Sequence, residues 1–517
     1  MKKQENLISL IGSLSMSEKR YFKLFMIKNS KGDSNHYIKL FDLIDKTEST
    51  NREVIQKFYG NDIFMQKQFN VCKHRLYDQI LNSMCAYHAE GSLDDKIMVL
   101  IRKMKVLYDK ALFMQANIVL EKARNIATKY ERHALLLEIA RWHKKIIHTW
   151  TIQEEPDEEK AIQIYKEEKK LIEKIANANE LWQLATMMFL SRRKYGVVRI
   201  QEDIHRNNTI MNHPLLKKED HALSYIAKMA FNMAYIHYNM ILNNLEEEYR
   251  YSKKCTVLME AHPHQIAEEP VKYSNTLHIL LSSCQSLKKY KEFFDIVPKL
   301  KSVFEKFKVP FSVQIHSYNT ILRAYIYTGQ FQKAQLFLLE IQPALNEQKY
   351  RNEMGELLFN ANLALLHFVN KDYHHALVHI NFVLNEKKDY LSPDHYSSMS
   401  IFQLIIHFDK GNTDLLPYLI KTFYKNLLHK KQLHKTENFF INFLRTRLNK
   451  MNTKSEQVES FKNLREDLLQ LSNDEMEVNF LKQFDIISWL DSKIENRSFG
   501  EILREKSEYY LKEMDEF

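Results

Sequence analysis

Glycine and proline are scarce in this sequence, with nine of each in 517 residues. Both break helices, glycine through its backbone entropy and proline through its missing N–H. Their scarcity argues against a loop-rich chain and points to helix almost throughout. No stretch alternates apolar and polar residues between turn signals, so no sheet is expected. With nine scattered glycines there is no Gly-rich phosphate loop, and no HExxH, GxSxG or paired-cysteine zinc spacing occurs. The four cysteines, Cys72, Cys85, Cys255 and Cys284, form no CxxC and read as reduced, partly buried thiols. No apolar run approaches the roughly 20 residues that span a bilayer. The opening MKKQENLISLIGSLSMSEKRYF lacks the apolar core and cleavage site of a signal peptide. The expected location is cytoplasmic, with no membrane span.

What is present is enough apolar material for a long core, 45% hydrophobic and 12% aromatic residues. The chain is too long for one compact core, so several domains or a repeat array are expected. The net charge of +10 is a modest bias against 75 basic and 65 acidic residues, and reads first as a solvated, salt-laced helical surface.

The clearest local pattern runs from His316 to Pro343. Tyr318, Ile321, Leu322 and Tyr325 lie on one helical face, Gly329 breaks the pattern, and Phe331, Ala334, Leu338 and Ile341 restart it. Two antiparallel helices joined by a tight turn give this pattern. Glycine tolerates the left-handed backbone that ends the first helix, and small Ala334 allows close helix approach. Tyr249, Tyr290, Phe331 and Tyr373 take one place in successive hairpins, 41, 41 and 42 residues apart. Ala376 matches Ala334, with Ser252 and Phe293 in that place in the other two, and a further turn is expected at 411–414. Leu107, Phe113, Ala116, Leu120 and Ala123 form an earlier copy.

The expected organisation is an N-terminal helical bundle (1–92), a repeat array (93–415), and basic helical repeats with capping helices (416–517). In the bundle, Ser15 and Glu18 form a capping box. Helices are expected over 36–45 and from Asn51, followed by a basic helix carrying Lys67, Lys73, His74 and Arg75, a weak helix-turn-helix pattern. A loop is expected at 153–157, then a charged helix; the side on which Arg192, Arg193 and Lys194 lie is open. Segment 416–454 holds nine lysines and arginines against one acid, Glu437, with Phe439, Phe440, Phe443, Leu444 and Leu448 as its core face. Trp489 marks a packed capping helix before an acidic end.

The spacing of Tyr325, Gly329, Phe331 and Ala334 resembles a tetratricopeptide repeat (TPR), with a period longer than the usual ~34 residues. The resemblance implies a right-handed α-solenoid of TPR-like hairpins whose common role is binding peptides or proteins. Ser17–Phe25 with Leu76–Leu81, and Phe484–Lys493, resemble an uncharacterised bacterial family of helical-repeat proteins, which implies no particular activity.

Two binding readings follow. In a stacked array the first helices of the hairpins line one face, which places Asn275, His278, Gln285, His316, Asn319 and Arg323 toward a protein or peptide partner. This is the expected role: a non-enzymatic adaptor or regulatory sensor. The alternative is a nucleic-acid surface at Lys73, Arg75, Lys425, Lys430, Lys431 and Arg445. The histidines are densest at His367, His374, His375 and His379. His375 and His379 stand one turn apart and could share a metal. No third ligand is evident beside them, so they are expected to serve the surface or the packing. Charge runs such as LEEEYR and YKEEKK read as solvated helix faces, and neither catalytic residues nor a cofactor or metal are expected. The oligomeric state is open.

Overall fold

The structure, a computed structural model, describes residues 2–29, 34–47, 60, 63–88, 91–150, 158–196, 201–346, 353–386, 391, 393–412, 414–429, 435–450, 453–471 and 484–512. These residues are all-α, with 24 α-helices, two short 3-10 turns and no strand. None of the helices is long and apolar enough to cross a membrane.

The chain forms two compact units, 1–171 and 172–517. In the first, α1 (Lys2–Ser13), α2 (Met16–Asn29), α3 (Ser34–Thr47) and α4 (Ile63–Tyr87) enclose a core of Phe22, Phe41, Phe69 and Leu76. The capping box forms as expected: the Ser15 amide donates to Glu18 Oε2 at 2.7 Å and the Glu18 amide to Ser15 Oγ at 3.3 Å. The helix expected from Asn51 and the loop at 153–157 lie outside the described residues. A second core joins α5 (Leu93–Asp109), α6 (Phe113–Lys129) and α7 (His133–Trp150), where Ala116, Leu120 and Ala123 are fully buried. The division expected near residue 92 thus falls between two cores of one unit. The next helix, α8 (Glu158–Tyr195), is a single 38-residue element within which the first unit ends.

The second unit continues with α9 (Gln201–Met211), α10 (Tyr225–Leu242), α11 (Leu245–Glu260), the short α12 (Pro263–Glu268), α13 (Pro270–Ser286), α14 (Tyr290–Phe307), α15 (Phe311–Tyr327), α16 (Phe331–Asn346), α17 (Glu353–Val369), α18 (Tyr373–Asn385) and α19 (Pro393–Lys410). It ends with α20 (Leu416–His429), α21 (Lys435–Lys450), α22 (Lys454–Leu471), α23 (Ile486–Ile494) and α24 (Phe499–Lys512). Neighbours pair as hairpins: α10 with α11, α13 with α14, α15 with α16, α17 with α18. First helices also pack on one another, α13 on α15 and α15 on α17. One apolar cluster runs from Leu181 to Leu503, so residue 415 marks no break in the core.

The hairpins share one turn. A residue with positive φ ends the first helix, and two amides reach back to its last carbonyls. At Gly329 (φ 67°) its own amide bonds the Ile326 carbonyl and the Gln330 amide bonds that of Tyr325. The same pair of bonds recurs at Ala111, Asn243, Lys288, Lys371 and Gly411. This is the Schellman arrangement, which satisfies carbonyls that a helix end would otherwise orphan. From Lys288 the turns follow at 41, 42 and 40 residues, but Asn243 precedes Lys288 by 45. The reason is visible at the helix starts. Tyr290, Phe331 and Tyr373 each begin a second helix, whereas Tyr249 lies one turn inside α11, whose first residue is Leu245. Tyr249 is therefore out of register with the other three.

A non-glycine residue in the left-handed region crowds its Cβ against the carbonyl oxygen. Ala111 (φ 57°) is exposed and has no side chain beyond Cβ. Ala111→Gly should accordingly raise stability by about 0.5–1 kcal/mol, the reverse of the usual helix effect. The check is the denaturant midpoint of the first unit; a drop would mean that this turn is not left-handed in solution.

The C-terminal elements fold back onto the middle of the array. Trp489 on α23 is fully buried and its Nε1 donates to Asp409 at 3.3 Å, while Lys493 pairs with Asp409 at 2.7 Å. On α24, Ser507 donates to the Thr328 carbonyl at 3.0 Å and Arg504 to the Gly329 carbonyl at 3.3 Å. Phe440, Phe443 and Leu444 are core residues as expected, but Phe439 is 36% exposed. Leu444 and Phe440 share a helical face one turn apart, and Phe439 sits beside it. Leu448's side chain and the acidic end beyond Lys512 lie outside the described residues.

Candidate functional site

The first helices of the hairpins carry an unusual load of buried polar atoms. Asn232 and His237 lie on α10, His278 and Gln285 on α13, and Arg192 on the end of α8. Asn232 Oδ1, His237 Nδ1, His278 Nδ1, Gln285 Nε2 and Arg192 Nε are buried and make no hydrogen bond to the described residues. Such atoms are a small minority in folded proteins, because each one forfeits its hydration for nothing.

Their placement follows from helix geometry. His278 and Gln285 are seven residues apart, two turns on one face, and so are His316 and Arg323 on α15. The α13 and α15 faces meet, with the His278 and His316 rings 6.3 Å apart at 49°. Burial, helped by His316, pushes the His278 imidazole down to about 4, and burial lowers that of His316. Burial, helped by Arg192, likewise pushes His237 down to about 4. Both rings are therefore neutral near pH 7, and each offers a donor or an acceptor rather than a charge. Arg192 is drawn inward, donating to Met240 Sδ at 3.0 Å, while Arg193 and Lys194 are exposed. Burial lowers its guanidinium, Glu248 opposes that, and Glu248 accepts from Ser283 Oγ at 2.9 Å.

Of the six residues expected to face a partner, the structure brings His278, Gln285, His316 and Arg323 onto adjoining faces and leaves Asn275 exposed on α13. Asn319 is corrected: it is 3% exposed and bridges helices. Its Nδ2 donates to the Gly355 carbonyl at 3.0 Å, and Asn362 Nδ2 donates to the Asn319 carbonyl at 3.1 Å. It stands one turn from His316, but on the side where α17 packs. Arg323 lies over the Tyr327 ring at 5.3 Å.

A cleft of about 530 Å³ opens between Phe294, Val297, Pro298, Lys301, Tyr325, Gln330 and Lys333. Tyr325 stacks on Phe294 at 5.3 Å, and Lys301 pairs with Glu340 at 2.7 Å. Pro298 lies inside α14. It supplies no amide hydrogen, so the Phe294 carbonyl lacks its regular helical partner. No cleft residue was anticipated as a ligand contact; the signal was Pro298 in an apolar helical pattern.

Among the residues of the nucleic-acid reading, Lys73 is half-buried over the Phe69 ring at 4.9 Å, and burial lowers its ammonium. Arg75, Lys425 and Arg445 are exposed, and Arg445 lies over Tyr424 at 4.5 Å. Lys430 and Lys431 lie outside the described residues, as does the side chain of Lys67.

At the corner of α17 and α18, His367, Asp372 and His375 come together, with a ligand-type atom from each within 4.8 Å of the others. Asp372 is the third group that spacing along the helix did not disclose, since it lies in the turn and caps α18.

No protein-family model, curated protein or solved structure matches this chain.

Proposed function

We propose that this protein is a non-enzymatic binding scaffold, an α-solenoid of TPR-like hairpins that holds a protein or peptide along the first helices from α10 to α17. Its role is that of an adaptor or of the sensing part of a regulator. The observation that carries this reading is the row of partly exposed polar side chains His278, Gln285, His316 and Arg323 on the adjoining faces of α13 and α15. Within it, His278 Nδ1 and Gln285 Nε2 make no hydrogen bond to the described residues, which costs the fold about 1–3 kcal/mol each. A peptide backbone laid along this row presents alternating donors and acceptors to such side chains. The cleft beside Tyr325 suits an apolar anchor side chain, with exposed Lys333 favouring an acidic neighbour.

The test separates binding from folding. Gln285→Met removes a buried polar group at nearly constant volume. It should leave the melting temperature unchanged or higher, by about 1 kcal/mol of stability, while weakening capture of the partner in a tagged pull-down. Lower stability with capture intact would assign Gln285 to the fold and remove this face from the site.

The nucleic-acid reading keeps one specific observation. Glu437, the lone acid of segment 416–454, is buried and accepts from Ser397 at 2.8 Å, while Lys421, Lys425, Lys435 and Arg445 are exposed. Retention of nucleic acid that falls steeply with salt, and is lost in Lys425→Glu/Arg445→Glu, would move function to this surface.

A further inference from the structure

The hairpin corner between α17 and α18 brings three imidazoles and a carboxylate together. His367 lies in the last turn of α17, Asp372 caps α18, and His375 and His379 occupy its first two turns. Asp372 divides its oxygens between two tasks. Oδ1 accepts from the His375 amide at 3.2 Å, as a helix cap does. Oδ2 lies 3.1 Å from His367 Nδ1 and 2.7 Å from His375 Nδ1, facing both rings at once.

The rings are stacked side by side, His367 on His375 at 5.3 Å and 30°, and His367 on His379 at 5.4 Å and 18°. His379 has a defined tautomer. Asn360 Nδ2 donates to the Glu356 carbonyl at 2.9 Å, so its Oδ1, 2.9 Å from His379 Nδ1, must accept. The proton then sits on Nδ1, and Nε2 carries the lone pair.

We propose that His367, Asp372 and His375 bind a divalent transition-metal ion of the Zn²⁺ class. A tetrahedral Zn²⁺ with bonds of about 2.0–2.1 Å holds its ligand atoms about 3.3 Å apart. The two Nδ1–Oδ2 spacings of 3.1 and 2.7 Å need a small opening to reach that, and all three ligand atoms lie within 4.8 Å of one another. On binding, the ion replaces the protons that the two Nδ1 atoms share with Oδ2. Each ring then carries its proton on Nε2 instead. Nitrogen donors select this class of ion over Ca²⁺ or Mg²⁺. The first turn of a helix is an unfavourable place for a cation, and the Asp372 charge offsets that field. The three side chains are 32%, 38% and 58% exposed, so the ion enters from solvent. Because its ligands come from both sides of the turn, it ties the end of α17 to the start of α18.

The experiment is calorimetric titration of the full chain with Zn²⁺, repeated with Co²⁺, whose visible bands report nitrogen coordination. One site in the micromolar range or tighter is expected. Asp372→Asn keeps the cap, because asparagine caps as well as aspartate, yet removes the charged ligand. It and His367→Gln should weaken binding roughly ten-fold or more and abolish the Co²⁺ bands. His374→Gln, on the exposed neighbouring position, should bind as the unaltered protein does. Absence of binding, or equal binding by Asp372→Asn and His367→Gln, would overturn the site. The outcome is independent of whether a partner is captured along the first helices.

Discussion

Gly329→Ala should be among the most damaging single-methyl changes in the second unit, by about 2–5 kcal/mol. Two effects add. The residue is left-handed at φ 67°, which costs a Cβ-bearing residue about 1–2 kcal/mol. The new Cβ would also lie 2.9 Å from Arg504 Cα and collide with Arg504 Cγ. The Cα belongs to the backbone of α24, so a helix must move, and overpacking of this kind costs about 1–3 kcal/mol. Gly411→Ala is the matched control, since its φ is 80° and nothing lies within 4 Å of its Cβ. It should cost about 1 kcal/mol. Denaturant unfolding of the two variants, with proteolysis at 499–512 as a second readout, decides the matter. If Gly329→Ala costs no more than Gly411→Ala, α24 is not seated on this turn.

Acid should destabilise the second unit before its carboxylates titrate, through His237 and His278. Both have folded values near 4 against an ordinary 6.5. Above pH 6.5 the ring is neutral in both states and the stability is complete. As pH falls from 6.5 toward 4 the unfolded chain takes up a proton that the folded chain refuses, so stability is lost across that window. A displacement of this size corresponds to roughly 3 kcal/mol per ring. His278→Leu should remove one ring's share, so the loss between pH 7 and pH 4.5 should be about 2–3 kcal/mol smaller than in the unaltered protein. An identical pH profile would mean that the His278 ring is hydrated and outside the buried face.

These effects share a cause, polar or strained groups placed where only long-range packing accounts for them. Gly329 was legible as a helix terminator, yet the sequence holds no hint that Arg504 arrives 175 residues later to occupy the space. The equivalent turns at Ala111, Asn243, Lys288 and Lys371 were not legible as left-handed, since a sequence reading looks for glycine there. His316 and Asn319 were read alike, one turn apart; packing of α17 buried one and left the other half-exposed. His375 and His379 were seen as a pair, but the carboxylate beside them comes from the turn and His367 from the other helix.

What the sequence by itself determined is local: helix almost throughout, the Ser15–Glu18 cap, the hairpin at Gly329, and the apolar faces carrying Ala334, Ala376 and Trp489. These follow from backbone propensity and the 3.6-residue period, which act within a few neighbours. Tertiary structure alone decided which polar residues were buried without partners, which turns took a left-handed residue, and where α24 returned. Those outcomes depend on the register between helices far apart in the chain, where the burial of many apolar side chains outweighs a local cost of about 1–3 kcal/mol at a single polar or strained residue.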